Sequence, residues 1–173
     1  MNFNWISILF RFVLLVALQV LVFKRINFDY GILSYSHIFI YPLWVMLLPF
    51  KTPKPLLLLA GFVMGMTIDM FYDSPGVHAA ALVFSAYIRD FILRIIEPDI
   101  GYDPDQPFSI RRLGIIWYLS YSALFLLLHL FVYFSVEVFS FVYFYEIMLS
   151  TITTLLFSLF IVFIFVLIFN PKS

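Results

Sequence analysis

The stretch GFVMGMTIDMFYDSPGVHAAALVFSAYIRD, residues 61–90, joins a glycine-spaced apolar run to a Ser-Pro-Gly corner and a second apolar run ending in Arg-Asp. In the first run Gly61, Gly65, Asp69 and Asp73 stand four apart, so they lie along one slowly drifting helical face. Gly61 and Gly65 form a GxxxG pair, which lets a neighbouring helix approach to backbone distance. Asp69 is therefore carried on the packed face. An acid within a membrane span costs about 2.5–3.5 kcal/mol on insertion scales and turns inward, away from lipid. After the corner, Ser74 is expected to cap a second helix with Pro75 at its first position, and Asp73 or Ser74 to meet its unpaired N–H groups. Ala79, Ala80, Ala81, Ser85 and Ala86 give that helix a small-residue surface. The two runs predict an antiparallel helix pair, glycine face on alanine face.

The rest of the chain sets this pair in lipid. Of 173 residues, 64% are hydrophobic, 21% aromatic and only 12% charged, and the mean hydropathy is +1.06. That excludes a soluble domain of ordinary charge and indicates one integral membrane domain, residues 1–173. The formal charge of zero provides no basic surface for nucleic acid, and the absence of cysteine excludes disulfides and thiolate metal sites. At 1.5 Å per residue, about 20 apolar residues cross the hydrocarbon layer. Six runs qualify, giving an all-α polytopic fold with spans near 5–23, 32–50, 55–72, 76–96, 113–135 and 146–169. Pro42 is expected to kink the second. The first is read as a retained helix, because Arg11 interrupts it and no small-residue cleavage site follows. The proline-rich loop 97–112 is the one long connection. Lys51, Lys54, Arg94, Arg111, Arg112 and Lys172 gather on the side of both termini, so the positive-inside rule places both termini in the cytoplasm.

Each remaining span carries one polar edge. His78, Ala81, Ser85 and Arg89 share a face of the fourth; Tyr121, Phe125, His129, Tyr133 and Glu137 line the fifth; Glu146, Ser150, Thr154 and Ser158 line the sixth. Serine and threonine there are expected to bond back to their own helix. Asp69, Asp73 and His78 are chemically adequate for a hard or borderline metal, but their spacing matches no metal, phosphate or nucleophile motif. No catalytic residue, metal or cofactor is expected.

The run Gly61, Gly65, Asp69, Pro75, Gly76, His78, Ala79 and Tyr87 resembles the signature of the rod shape-determining protein MreD family. It differs at Phe71 and Tyr72, where aliphatic or small residues are expected, and in its longer fourth loop. The resemblance implies a non-enzymatic subunit of the bacterial elongation machinery in the inner membrane. Its partners would be MreC, the elongation glycosyltransferase and transpeptidase, and MreB filaments through loop 97–112, with Asp73 among the candidate contact residues. It also implies a bundle like the S component of energy-coupling vitamin transporters. The alternative is a solute-binding subunit of that S-component type, with a pocket among His37, Asp69, His78, His129 and Glu146, and Arg89 as a further interior polar residue.

Overall fold

Five of the six apolar runs become long helices: α1 (Trp5–Leu21), α3 (Lys54–Tyr72), α4 (Val77–Ile95), α5 (Ile115–Val138) and α6 (Phe144–Phe169), with α2 (Pro42–Met46) only five residues long. The computed structural model describes residues 5–26, 31, 35–98, 101–102 and 113–169, and no strand occurs among them. Most of loop 97–112, with Asp99, Asp103, Asp105, Arg111 and Arg112, lies outside the described residues. Among the described residues four segments are long and apolar enough to cross a membrane: Ile6–Arg25, Lys54–Tyr72, Ile115–Val138 and Phe144–Ile168. The chain is an all-helical, multi-pass membrane protein. α4 matches α3 in length but carries Arg89, Asp90 and Arg94 in its second half.

The expected span at 32–50 is corrected. Among its described residues only Pro42–Met46 is α-helical, and Ser36 and residues 38–40 are irregular yet buried. Pro42 takes the first helical turn, where its missing N–H costs nothing, and Pro49 follows the short helix, so the helix starts at one proline and stops before the other. Non-helical backbone at membrane depth survives only if protein satisfies its polar groups. Here side chains do so. The His37 N–H donates to Thr154 Oγ1 (3.0 Å) and the Phe39 N–H to Ser158 Oγ (2.9 Å), both on α6. Gln19 of α1 accepts from the Ile40 N–H (2.8 Å) and donates to the Ile38 carbonyl (3.0 Å), so its amide acts as one rung of a strand. Trp44 Nε1 then reaches the Ile8 carbonyl (3.0 Å), which sets the segment antiparallel to α1.

Glycine decides how α3 meets α4. A Cβ on Gly65 would lie 2.3 Å from the Ala79 Cα and 2.7 Å from its nitrogen, so the two backbones touch there. At Gly61 the nearest atoms are the Leu82 oxygen at 3.1 Å and the Ala86 Cβ at 3.3 Å. The glycine-on-alanine packing read from the sequence is the geometry found.

Candidate functional site

The candidate site is the polar interior that starts at the α3–α4 corner. Asp69, 3% exposed, sits one turn before the end of α3 and faces the start of α4. Its Oδ2 accepts the N–H groups of Gly76 (3.1 Å) and Ala79 (3.0 Å). Its Oδ1 accepts the His78 N–H (2.9 Å), His78 Nδ1–H (2.9 Å) and the Ser74 hydroxyl (3.1 Å). A carboxylate from one helix thus caps the positive end of the next. The main chain of the same residue ends α3, since the Asp73 N–H donates to the Asp69 carbonyl.

The capping expectation is therefore corrected in its residues. α4 begins at Val77 with Gly76 as its cap at φ +87°, a conformation that suits glycine. Pro75 lies in the preceding turn, exposed, and Ser74 bonds Asp69 and lies 3.0 Å from His78 Nδ1. Asp73 does not cap α4; it is exposed, with a left-handed φ of +54°, and closes α3. Asp69 does the capping because a carboxylate reaching across the pair meets several N–H groups at once.

Asp69 fixes the His78 ring. Only acceptors face Nδ1 from the carboxylate, so that nitrogen carries the hydrogen. Nε2 is buried with no hydrogen-bond partner among the described residues. Around the ring stand Tyr133 (4.8 Å between centroids), Tyr72 (4.9 Å), Tyr41 (5.5 Å) and Phe39 (5.7 Å). These aromatic side chains come from α3, α5 and the irregular segment before α2.

One layer further in, His129 lies between Tyr41 and Ser85. The Ser85 hydroxyl donates to the Ala81 carbonyl (2.8 Å), which spends its one hydrogen. His129 Nδ1 must then donate to Ser85 Oγ (3.0 Å), and Nε2 accepts from the Tyr41 hydroxyl (2.7 Å). Both ring nitrogens are satisfied, as befits a histidine with no exposure.

At the far end Arg89, also fully buried, donates through Nε to the Tyr121 hydroxyl (3.2 Å) and through Nη2 to the Leu48 carbonyl. Tyr121 in turn reaches the Met46 carbonyl at 3.5 Å. The guanidinium faces the C-terminal end of α2, where a helix favours a cation. Nη1 has no hydrogen-bond partner, and no carboxylate lies in ion-pair range of Arg89, among the described residues. An acid at one helix start and a base at one helix end thus bracket the interior.

The other expected residues fall outside this network. His37 is exposed and stacks on Phe39, with ring centroids 6.0 Å apart. Glu146 is half-buried in the first turn of α6. Tyr87 is 60% exposed, and the Lys54 ammonium lies 4.2 Å from its ring centre. The expectation that Thr154 and Ser158 serve their own helix fails, since both accept N–H groups of the irregular segment. Thr151 and Thr153 do bond back, to Ile147 and Leu149. Gln19 was missed by the sequence reading; its one signal is being a lone amide in an apolar run. Among the described residues no group of three His, Asp or Glu is arranged to hold a metal. Compared with known proteins, the chain matches no family model, no curated protein and no solved structure.

Proposed function

We propose that this chain is a non-enzymatic scaffold subunit of the bacterial elongation machinery, of the MreD type, seated in the inner membrane with both termini in the cytoplasm. In this reading it binds MreC and links cytoskeletal filaments to peptidoglycan synthesis. The segment 36–50, mostly buried, serves as a sixth, mostly non-helical pass. One observation carries the scaffold reading: the polar groups at the corner of the 61–90 run, Asp69 and Ser74, are consumed in holding α3 to α4. Asp69 accepts five donors, and Gly65 brings the backbones together. An acid with both oxygens engaged in capping is a fastening rather than a general acid or base. The solute-binding alternative is less well supported, because rings of Phe39, Tyr41, Tyr72 and Tyr133 crowd His78 where its pocket would lie.

The test is capture from a detergent extract with partners identified by mass. A bitopic coiled-coil protein of the MreC kind is the expected companion, and Asp69→Ala weakens its retention. Recovery of an energy-coupling ATPase in its place overturns the reading. A second arm replaces loop 97–112 by a Gly/Ser linker: loss of rod shape is expected if that loop meets the filament, and retained shape removes the loop from the proposal.

A further inference from the structure

Among the described residues Arg89 is the one buried lysine or arginine, and it has no exposure at all. A guanidinium keeps its proton at any physiological pH, so its charge has to be met inside the bundle. The described carboxylates do not meet it. Asp69 is spent on the start of α4, and Asp73 and Glu97 are exposed. Glu137 and Glu146 stand at the far end of α5 and the start of α6. Asp90 follows Arg89 on α4 but points about 100° around the helix, and the two form no ion pair. Arg89 meets neutral acceptors instead, the Leu48 carbonyl and the Tyr121 hydroxyl, beside the end of α2. A helix end offsets about half an elementary charge at most, so positive charge remains.

The polar atoms left over in this part of the bundle can all donate. Arg89 Nη1 and the hydroxyls of Tyr118 and Ser122 are buried with no hydrogen-bond partner among the described residues. Tyr118, Tyr121 and Ser122 fall within about 6 Å along the axis of α5, and Arg89 is bonded to Tyr121 between them. A negatively charged acceptor satisfies such a set and cancels the charge in one step. The surroundings limit its size. Phe50, Tyr102, Trp117 and Tyr121 form a column with successive ring centroids 4.7, 5.7 and 5.4 Å apart. The Tyr102 hydroxyl donates to the Leu93 carbonyl (2.8 Å) and Trp117 Nε1 to the Ile96 carbonyl (2.8 Å). The column is thereby pinned to the last turn of α4, over the Arg89 end of the interior.

We propose that Arg89 binds one small inorganic anion, of halide size, between α4 and α5. Nη1 donates to it together with the Tyr118 and Ser122 hydroxyls. The anion supplies the negative charge that no described carboxylate brings to the guanidinium, and it ties the inner halves of the two helices together. The site stands independently of the scaffold reading.

Thermal melts of the purified protein in a neutral detergent test it, with chloride exchanged for gluconate at constant ionic strength so that screening stays fixed. The wild-type melting temperature is expected to climb with chloride along a one-site curve, by about 5–10 °C at a hundredfold excess over Kd. Arg89→Met puts an apolar side chain where the buried charge was, and should fold and lose the chloride dependence. Arg89→Gln is the second variant should the first fail to fold. Tyr118→Phe and Ser122→Ala should each raise the chloride concentration at half-effect about tenfold, the worth of a hydrogen bond to a charged group. A wild-type melting temperature indifferent to chloride overturns the proposal, and is the result expected if a carboxylate already meets the charge. Chloride dependence that survives in a folded Arg89 variant overturns it too. An unchanged half-effect concentration in both hydroxyl variants overturns the three-donor site.

Discussion

Asp69→Ala removes the acceptor for five donors, and the loss can be counted from their surroundings. Gly76 and Ser74 lie partly open, so their groups turn to other acceptors. The N–H groups of His78 and Ala79 are buried and have no substitute, whereas the His78 Nδ1–H keeps the Ser74 hydroxyl oxygen at 3.0 Å. A buried donor left unpaired costs about 1–3 kcal/mol, so two amount to about 2–6 kcal/mol. Fraying of the first turn of α4 holds the loss in the lower half of that range, about 3 kcal/mol. For a chain of this size that lowers the melting temperature by about 6–12 °C. Asp69→Asn is a sharper test, because it keeps the shape. Whichever way the amide turns, its NH2 faces either the Gly76 and Ala79 N–H groups or the His78 and Ser74 donors. The asparagine variant is therefore expected to recover less than half of the loss. Scanning fluorimetry in detergent gives the melting temperatures, and amide hydrogen exchange at Gly76, His78 and Ala79 localises the effect. A melting temperature for Asp69→Ala within about 2 °C of wild type, a shift worth less than ~1 kcal/mol, refutes the capping account. So does an asparagine variant indistinguishable from the wild type.

Gly65→Ala should destabilise by about 3 kcal/mol or more, because the new methyl meets the Ala79 backbone, which cannot yield as a side chain does. Gly61→Ala, with its nearest contact at 3.1 Å, should cost about 1 kcal/mol; thermal melts that reverse this order contradict the packing. Gln19→Leu strips the Ile38 carbonyl and the Ile40 N–H of their partner, a loss of about 2–4 kcal/mol, read as lower thermal stability with faster proteolysis near residue 38. Thr154→Val should be clearly destabilising and Thr153→Val nearly neutral, since only Thr154 serves backbone outside its own helix; equal effects in denaturation would sink the distinction.

The span that misled the sequence reading is the most instructive. Residues 32–50 have the length and hydropathy of a transmembrane helix, but apolar content records burial and does not distinguish a lipid-facing helix from an extended segment enclosed by protein. Pro42 and Pro49 were visible, yet a kinked helix and a broken one share that signature. What made the broken form affordable was polar side chains far along the chain. Thr154 and Ser158 stand 117 and 119 positions from the groups they receive, and Gln19 stands 19 and 21 away.

The sequence alone determined the medium, the helical class and the α3–α4 joint. Hydropathy is a sum over residues, and glycine spacing is a local geometric code, so neither needs knowledge of distant neighbours. It also singled out Asp69, because an acid among apolar residues demands an explanation wherever it lies. Only the tertiary structure decided what that acid does, how Arg89 and His129 are satisfied, and that a strand-like segment threads between α1 and α6. Those outcomes depend on hydrogen-bond partners brought together by folding, and one-dimensional spacing holds no record of a partner on another helix.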